Sequence, residues 1–139
     1  MKGIADTGFL VALLRRADKH HTWAAELSEG IDEPLLTCDA VLAETAYHLR
    51  SSALVIEMVE TELIRPAFES AKHVGRLAEL ALQFQDRRPD FADLCLIRMS
   101  ELNPKHAILT VDRGDFTVYR RNKREPLPLL LPPLPRAVR

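Results

Sequence analysis

KGIADTGFLVALL, residues 2–14, sets Asp6 at the end of a short apolar run and follows Thr7-Gly8 with a second one. Met1 to Ala5 reads as a short buried strand. Thr7 is placed to cap a helix that carries Phe9, Leu10, Leu13 and Leu14 on its apolar stripe and ends near Ala17-Asp18. Strand, acid and helix in that order are the opening of an α/β unit. The triplet Asp-Thr-Gly also marks aspartic proteases, but those are built almost wholly of β-strand. The helical periodicity here and in later segments excludes that class.

Beyond this unit, a helix over Thr22–Glu29 has Trp23 and Leu27 four apart and stops at Gly30. Residues 33–38, EPLLTC, give a short strand, and Asp39 is positioned to cap a helix over Ala40–Arg50. Two more helices fit Ala53–Leu63 and Ala67–Gln85, with residues 63–68, LIRPAF, as a short strand between them. Pro89-Asp90 opens a helix over Phe91–Leu102, which Asn103-Pro104 closes. Residues 106–111, HAILTV, are the clearest strand and end on Asp112; a final short strand fits Phe116–Arg120. Apolar strands alternating with helices predict an α/β domain whose mainly parallel sheet is covered on both faces.

The chain has 139 residues, room for one core. We expect one domain over residues 1–125 and a proline-rich tail over 126–139, extended except for Leu127–Leu131 as an edge strand. Residues 120–139 carry six basic residues against Glu125 alone, a net +5, so residues 1–119 carry −6 of the total −1. A near-neutral total argues against a general polyanion binder, while the basic tail suits solvent, phosphate contact or contact with a partner. No run approaches the roughly 18 to 20 apolar residues of a membrane span, and the expected location is cytoplasmic. Cys38 and Cys95 lie in apolar stretches without zinc spacing and read as reduced, buried residues.

In an open parallel sheet, ligands bind beyond the carboxyl ends of the strands. Asp6 and Asp112 both fall there. Each alone is also explained as a turn or cap residue. Glu44 sits on a helix that is apolar nearly all round, where a bare carboxylate costs several kcal/mol in order of magnitude unless a cation or donor meets it; an ion pair with Arg50 or with a remote Arg would suffice. Asp93 shares a stripe with Ile97 on a similar helix, whereas Asp90 is accounted for by capping. Convergence of these acids on one hard cation would offset their repulsion and suit phosphodiester cleavage.

Four blocks carry a family resemblance: DTGFLVALL (6–14), LLTCDAVLAETAYHLR (35–50), PDFADLCLIRMSE (89–101) and AILTVDRGDF (107–116). In that order, over nearly all of residues 1–120, they resemble PIN domains, and within them the VapC-like proteins of toxin–antitoxin pairs. The resemblance implies a Rossmann-like PIN fold and a Mg²⁺- or Mn²⁺-dependent ribonuclease, often a homodimer, inhibited by a small antitoxin encoded beside it. By the same resemblance Asp6, Glu44, Asp93 and Asp112 are the metal-binding and catalytic acids. Asp115 competes with Asp112 for the fourth place, and Asp90 is an outer acid. Thr7 corresponds to the small hydroxyl residue beside the first acid and, with Arg113, is expected to contact substrate. The implied reaction is in-line attack of a metal-activated water on a backbone phosphate, leaving a 5′-phosphate and a 3′-hydroxyl.

Two other classes stay in view. A module of the same fold that binds nucleic acid or protein without catalysis would not need costly acids on apolar helices. A haloacid-dehalogenase-type phosphatase needs a second Asp two residues after the first, and position 8 is Gly. Trp23, Phe68 and Phe84 read as packing residues, and His20-His21 lacks a third ligand in range. Arg87-Arg88 either steers phosphate toward the acids or is simply solvated.

Overall fold

A computed structural model describes residues 1–135; residues 136–139 of the expected tail, including Arg136 and Arg139, lie outside the described residues. β1 (Gly3–Ala5) is the central strand, buried at every position. It pairs in parallel with β2 (Leu35–Thr37) on one side and β4 (Ala107–Leu109) on the other. β3 (Ile64–Pro66) and β7 (Leu129–Leu130) extend the two edges, giving the order β3-β2-β1-β4-β7 with every pair parallel. Ile4, Leu35, Ile64, Ile108 and Leu109 are fully buried in it, because helices cover both faces of a parallel sheet.

The helices are α1 (Thr7–Leu14), α2 (His21–Ser28), α3 (Asp39–Leu49), α4 (Ser52–Glu60), α5 (Val74–Gln83), α6 (Phe91–Leu102) and the single turn α7 (Arg113–Phe116). A two-stranded antiparallel ribbon, β5 (Arg120–Arg121) with β6 (Glu125–Pro126), precedes the edge strand β7. The chain lays down β1, β2 and β3 in one direction, then returns to place β4 on the other side of β1. That reversal opens a crevice at the carboxyl ends of β1 and β4.

Gly8 sets how tightly the crevice closes. A Cβ on it would stand 2.4 Å from Cγ2 of Val111, so only glycine lets the first turn of α1 meet the end of β4 at this spacing. Gly8→Ala is expected to lower stability by about 1–3 kcal/mol through this overpacking. Urea unfolding with an unchanged slope and a lower midpoint would show it; an unchanged midpoint would mean that Val111 turns aside freely.

The α/β class, the parallel sheet, helix Phe91–Leu102 and an edge strand within Leu127–Leu131 are found as expected. Several boundaries differ, each for a local reason. Asp6, not Thr7, caps α1, which ends at Leu14; Cys38, not Asp39, stands at the N-cap of α3. α4 stops at Glu60, freeing Leu63 to lead into β3. The helix expected over Ala67–Gln85 is only α5, preceded by a 3-10 turn at Ser70–Lys72, because Phe68 leaves the helical path to stack on His73 at 4.9 Å. Of the strand expected over Phe116–Arg120 only Arg120 is strand, the start of β5: Phe116 ends α7, which Asp112 caps by accepting from the amide of Asp115, and Thr117 and Val118 turn the chain.

Candidate active site

Asp6 emerges directly from β1, and its carboxylate is held twice. Oδ1 accepts from the amide of Thr7 at 2.7 Å and Oδ2 from the hydroxyl of Thr110 at 2.6 Å. The Thr110 oxygen in turn accepts from the amide of Asp112 at 3.1 Å, so one hydroxyl ties the ends of β1 and β4 together. Glu44 comes from the middle of α3, where its Oε1 accepts from the Thr7 hydroxyl at 2.7 Å. Glu44 forms no ion pair, with Arg50 or with a remote Arg, among the described residues. α3 is also less enclosed than its composition suggests: Tyr47 is 79% exposed and Glu44 is half-buried. Burial alone therefore does not account for Glu44.

Asp93 lies in the first turn of α6, whose N-cap Asp90 accepts from its amide at 2.8 Å. On the side-chain side, the Tyr119 hydroxyl donates to Asp93 Oδ2 at 2.8 Å. Asp112 and Asp115 bracket α7, and Arg87 pairs with Asp115 Oδ1 at 3.1 Å. Capping by Asp112 coils the segment, so the two acids that competed in the sequence are delivered side by side. One cavity of about 530 Å³ is lined by Asp6, Thr7, Glu44, Asp90, Asp93, Asp112 and Asp115. Lys19, His20, His48 and Arg88 stand around it.

Within the cavity, the carboxylates of Asp93, Asp112 and Asp115 each bring an oxygen within 4.8 Å of the others, a donor set suited to a hard divalent cation. Of the four acids expected from the resemblance, this trio holds Asp93 and Asp112, and it adds Asp115, the competitor for the fourth place. Asp6 is held by the Thr7 amide and by Thr110, and Glu44 by the Thr7 hydroxyl, so both line the same space from its β1 and α3 side.

The electrostatics match a site short of positive charge. Burial raises the Asp6 carboxyl to about 6, against the hydrogen bonds from Thr110 and Thr7 that lower it; the charges of Glu44 and Asp112 add to the rise. Asp93 is raised to about 8, first by burial and then by the charges of Asp90 and Asp6, with the Tyr119 hydrogen bond opposing. Among the described residues, Arg87 to Asp115 is the one salt bridge these acids make, and it is solvent-exposed.

A model of the PIN domain family matches residues 4–122, from β1 through the ribbon turn, and that span holds every acid of the cavity. The chain belongs to the PIN domain family. Over 123 residues, 84% of this chain and 91% of the relative, it is 28% identical to Ribonuclease VapC26 of Mycobacterium tuberculosis. Seen as a PIN domain, the order-reversal crevice between β1 and β4 and the acid-lined cavity are one feature. No helix among the described residues is long and apolar enough to cross a membrane.

Two residues of this PIN domain that touch the acids carry little signal in the sequence. Thr110 is readable only as the residue two before Asp112, and Tyr119 falls in a segment that reads as strand. Arg113 is not among the residues lining the cavity; its Nη2 donates to the carbonyl of Pro132 at 2.7 Å.

Proposed function

We propose that this PIN domain is a VapC-type ribonuclease that hydrolyses RNA phosphodiester bonds with Mg²⁺ or Mn²⁺. The observation that carries the reading is the meeting of Asp6, Glu44, Asp93, Asp112 and Asp115, from four separate parts of the chain, in one cavity at the sheet's carboxyl edge. Asp93, Asp112 and Asp115 hold the cation, with Asp6 and Glu44 as further carboxylates of the set. A bound divalent ion supplies Lewis acidity toward a phosphoryl oxygen and makes water a stronger acid.

The protein's own groups do the rest. Thr110 and Thr7 keep Asp6 and Glu44 oriented toward the cavity, and the closure of α1 on Val111 at Gly8 keeps the β1–β4 edge tight. Lys19, His20 and Arg88 at the rim contact the phosphates flanking the cut. Thr7 and Arg113 remain proposed substrate contacts, Arg113 through the donors that Pro132 leaves free. The partners that go with this reading are an RNA substrate, a small antitoxin and a second copy of the chain. An apolar groove between α3 and α4, lined by Leu42, Ala46, Val55, Ile56 and Val59, supports a protein partner.

Cleavage of a structured RNA followed with Mg²⁺, with Mn²⁺ and with EDTA tests the reading. Activity is expected with either ion and is expected to vanish on chelation, returning when the ion is restored in excess. Cutting that persists in EDTA would remove the proposal.

A further inference from the structure

We propose that Tyr119 is the positioning residue for Asp93: its phenol, locked in an aromatic box, fixes one oxygen of that carboxylate and so sets its aim into the acid cavity. The inference rests on reading these acids as a cation site.

Tyr119 is fully buried. Its ring meets Phe84 edge-on at 5.2 Å and Phe116 edge-on at 5.3 Å, and its amide donates to the carbonyl of Asp115 at 3.0 Å. A phenol in such surroundings has one low-energy placement, and its hydroxyl needs a partner. That partner is Asp93 Oδ2 at 2.8 Å. From the other side, Asp93 has its amide held by Asp90, while its second oxygen accepts no hydrogen bond among the described residues.

The other two hydroxyls on the acids belong to threonines, so the phenol is the one donor carried on an aromatic ring. The contact also links α6 to the segment after α7. The side chain that orients Asp93 and the backbone that carries Asp115 are thereby braced together, which matters because Asp93, Asp112 and Asp115 must present oxygens to a common point. Residues that orient a ligand from behind typically change metal affinity about 10–100-fold when removed.

The test is Mn²⁺ binding to the full chain by titration calorimetry, without RNA, for the wild type, Tyr119→Phe, Asp93→Asn and the double variant. Phenylalanine keeps the ring packing and removes only the hydroxyl. Tyr119→Phe is expected to weaken Mn²⁺ about 10–100-fold and to raise the Mn²⁺ needed for half-maximal cleavage, with KM for RNA unchanged at saturating ion. In the Asp93→Asn background the same change is expected to do nothing further.

Wild-type affinity in Tyr119→Phe overturns the tyrosine's role and leaves the cation site standing. A wild type that binds no Mn²⁺ takes down both. A readout that needs no substitution keeps the question decidable should the variant unfold. The chain has two tyrosines, and with both fluorinated, Mg²⁺ is expected to shift the ¹⁹F resonance of Tyr119 while the 79% exposed Tyr47 serves as reference. An unmoved Tyr119 resonance under saturating Mg²⁺ contradicts the proposal.

Discussion

Asp6→Asn is expected to cut RNA hydrolysis about 10–100-fold and, in chelator at pH 8, to raise the melting temperature. The two effects have one origin. Asp6 is 8% exposed and carries its charge beside Glu44 and Asp112. Asparagine keeps the shape: its carbonyl oxygen accepts from the Thr7 amide, and its amide group donates to the Thr110 hydroxyl, which still accepts from Asp112 and gives up only its own donation to position 6. What disappears is the buried charge, useful only when a cation meets it. A residue that merely holds the fold would lose stability and activity together. Cleavage assays beside thermal melts in EDTA decide this, and a destabilised Asp6→Asn protein would assign Asp6 to the fold.

The second large effect is a pH dependence that the cation removes. Asp6 titrates at about 6 and Asp93 at about 8 in the folded chain, both above the 3.8 of an exposed Asp. From about pH 4 to 8 the folded state therefore holds protons that the unfolded state has released. Stability contributed by these groups is complete below pH 4 and is lost as pH rises through 6 and then 8. For Asp6 the shift of about two units corresponds to roughly 3 kcal/mol, or a fall of roughly 10 °C in melting temperature. Melts in EDTA across pH 4 to 9 are expected to show the decline, and Mg²⁺ or Mn²⁺ to restore stability most at the alkaline end, where the cation competes with no proton. Asp6→Asn serves as the reference, and the difference from it contains the Asp6 titration together with the part of the Asp93 shift that the Asp6 charge causes. A wild-type profile parallel to that reference would refute the assignment of the shift to Asp6.

The alternation of short apolar strands with amphipathic helices was legible because each strand is buried on both faces, so its residues are apolar without a break. The acids were legible by position: Asp6 and Asp112 end strands, and Glu44 and Asp93 interrupt apolar helices. The neighbourhood of each acid was less legible. α3 shows its Tyr47 face to solvent, so the enclosure inferred from its composition was too complete. The strand expected from Phe116 starts only at Arg120, because the Asp115 amide donates to the Asp112 side chain and coils Arg113–Phe116 into α7 against weak strand propensity.

By itself the sequence determined the class of fold, the parallel sheet and which carboxylates stand at its edge, since these follow from periodicity and from the change between strand and helix along the chain. Only the tertiary structure decided which oxygens approach one another and what steers them. Thr110 and Tyr119 lie 104 and 26 residues from the acids they hold. The pairing of Asp112 with Asp115 and Asp93 depends on a cap, a crossover and an aromatic box acting at once. Local propensity reports what a residue prefers among its chain neighbours, whereas a hydrogen bond at 2.6 Å or 2.8 Å is set by where the packed sheet and helices put distant atoms.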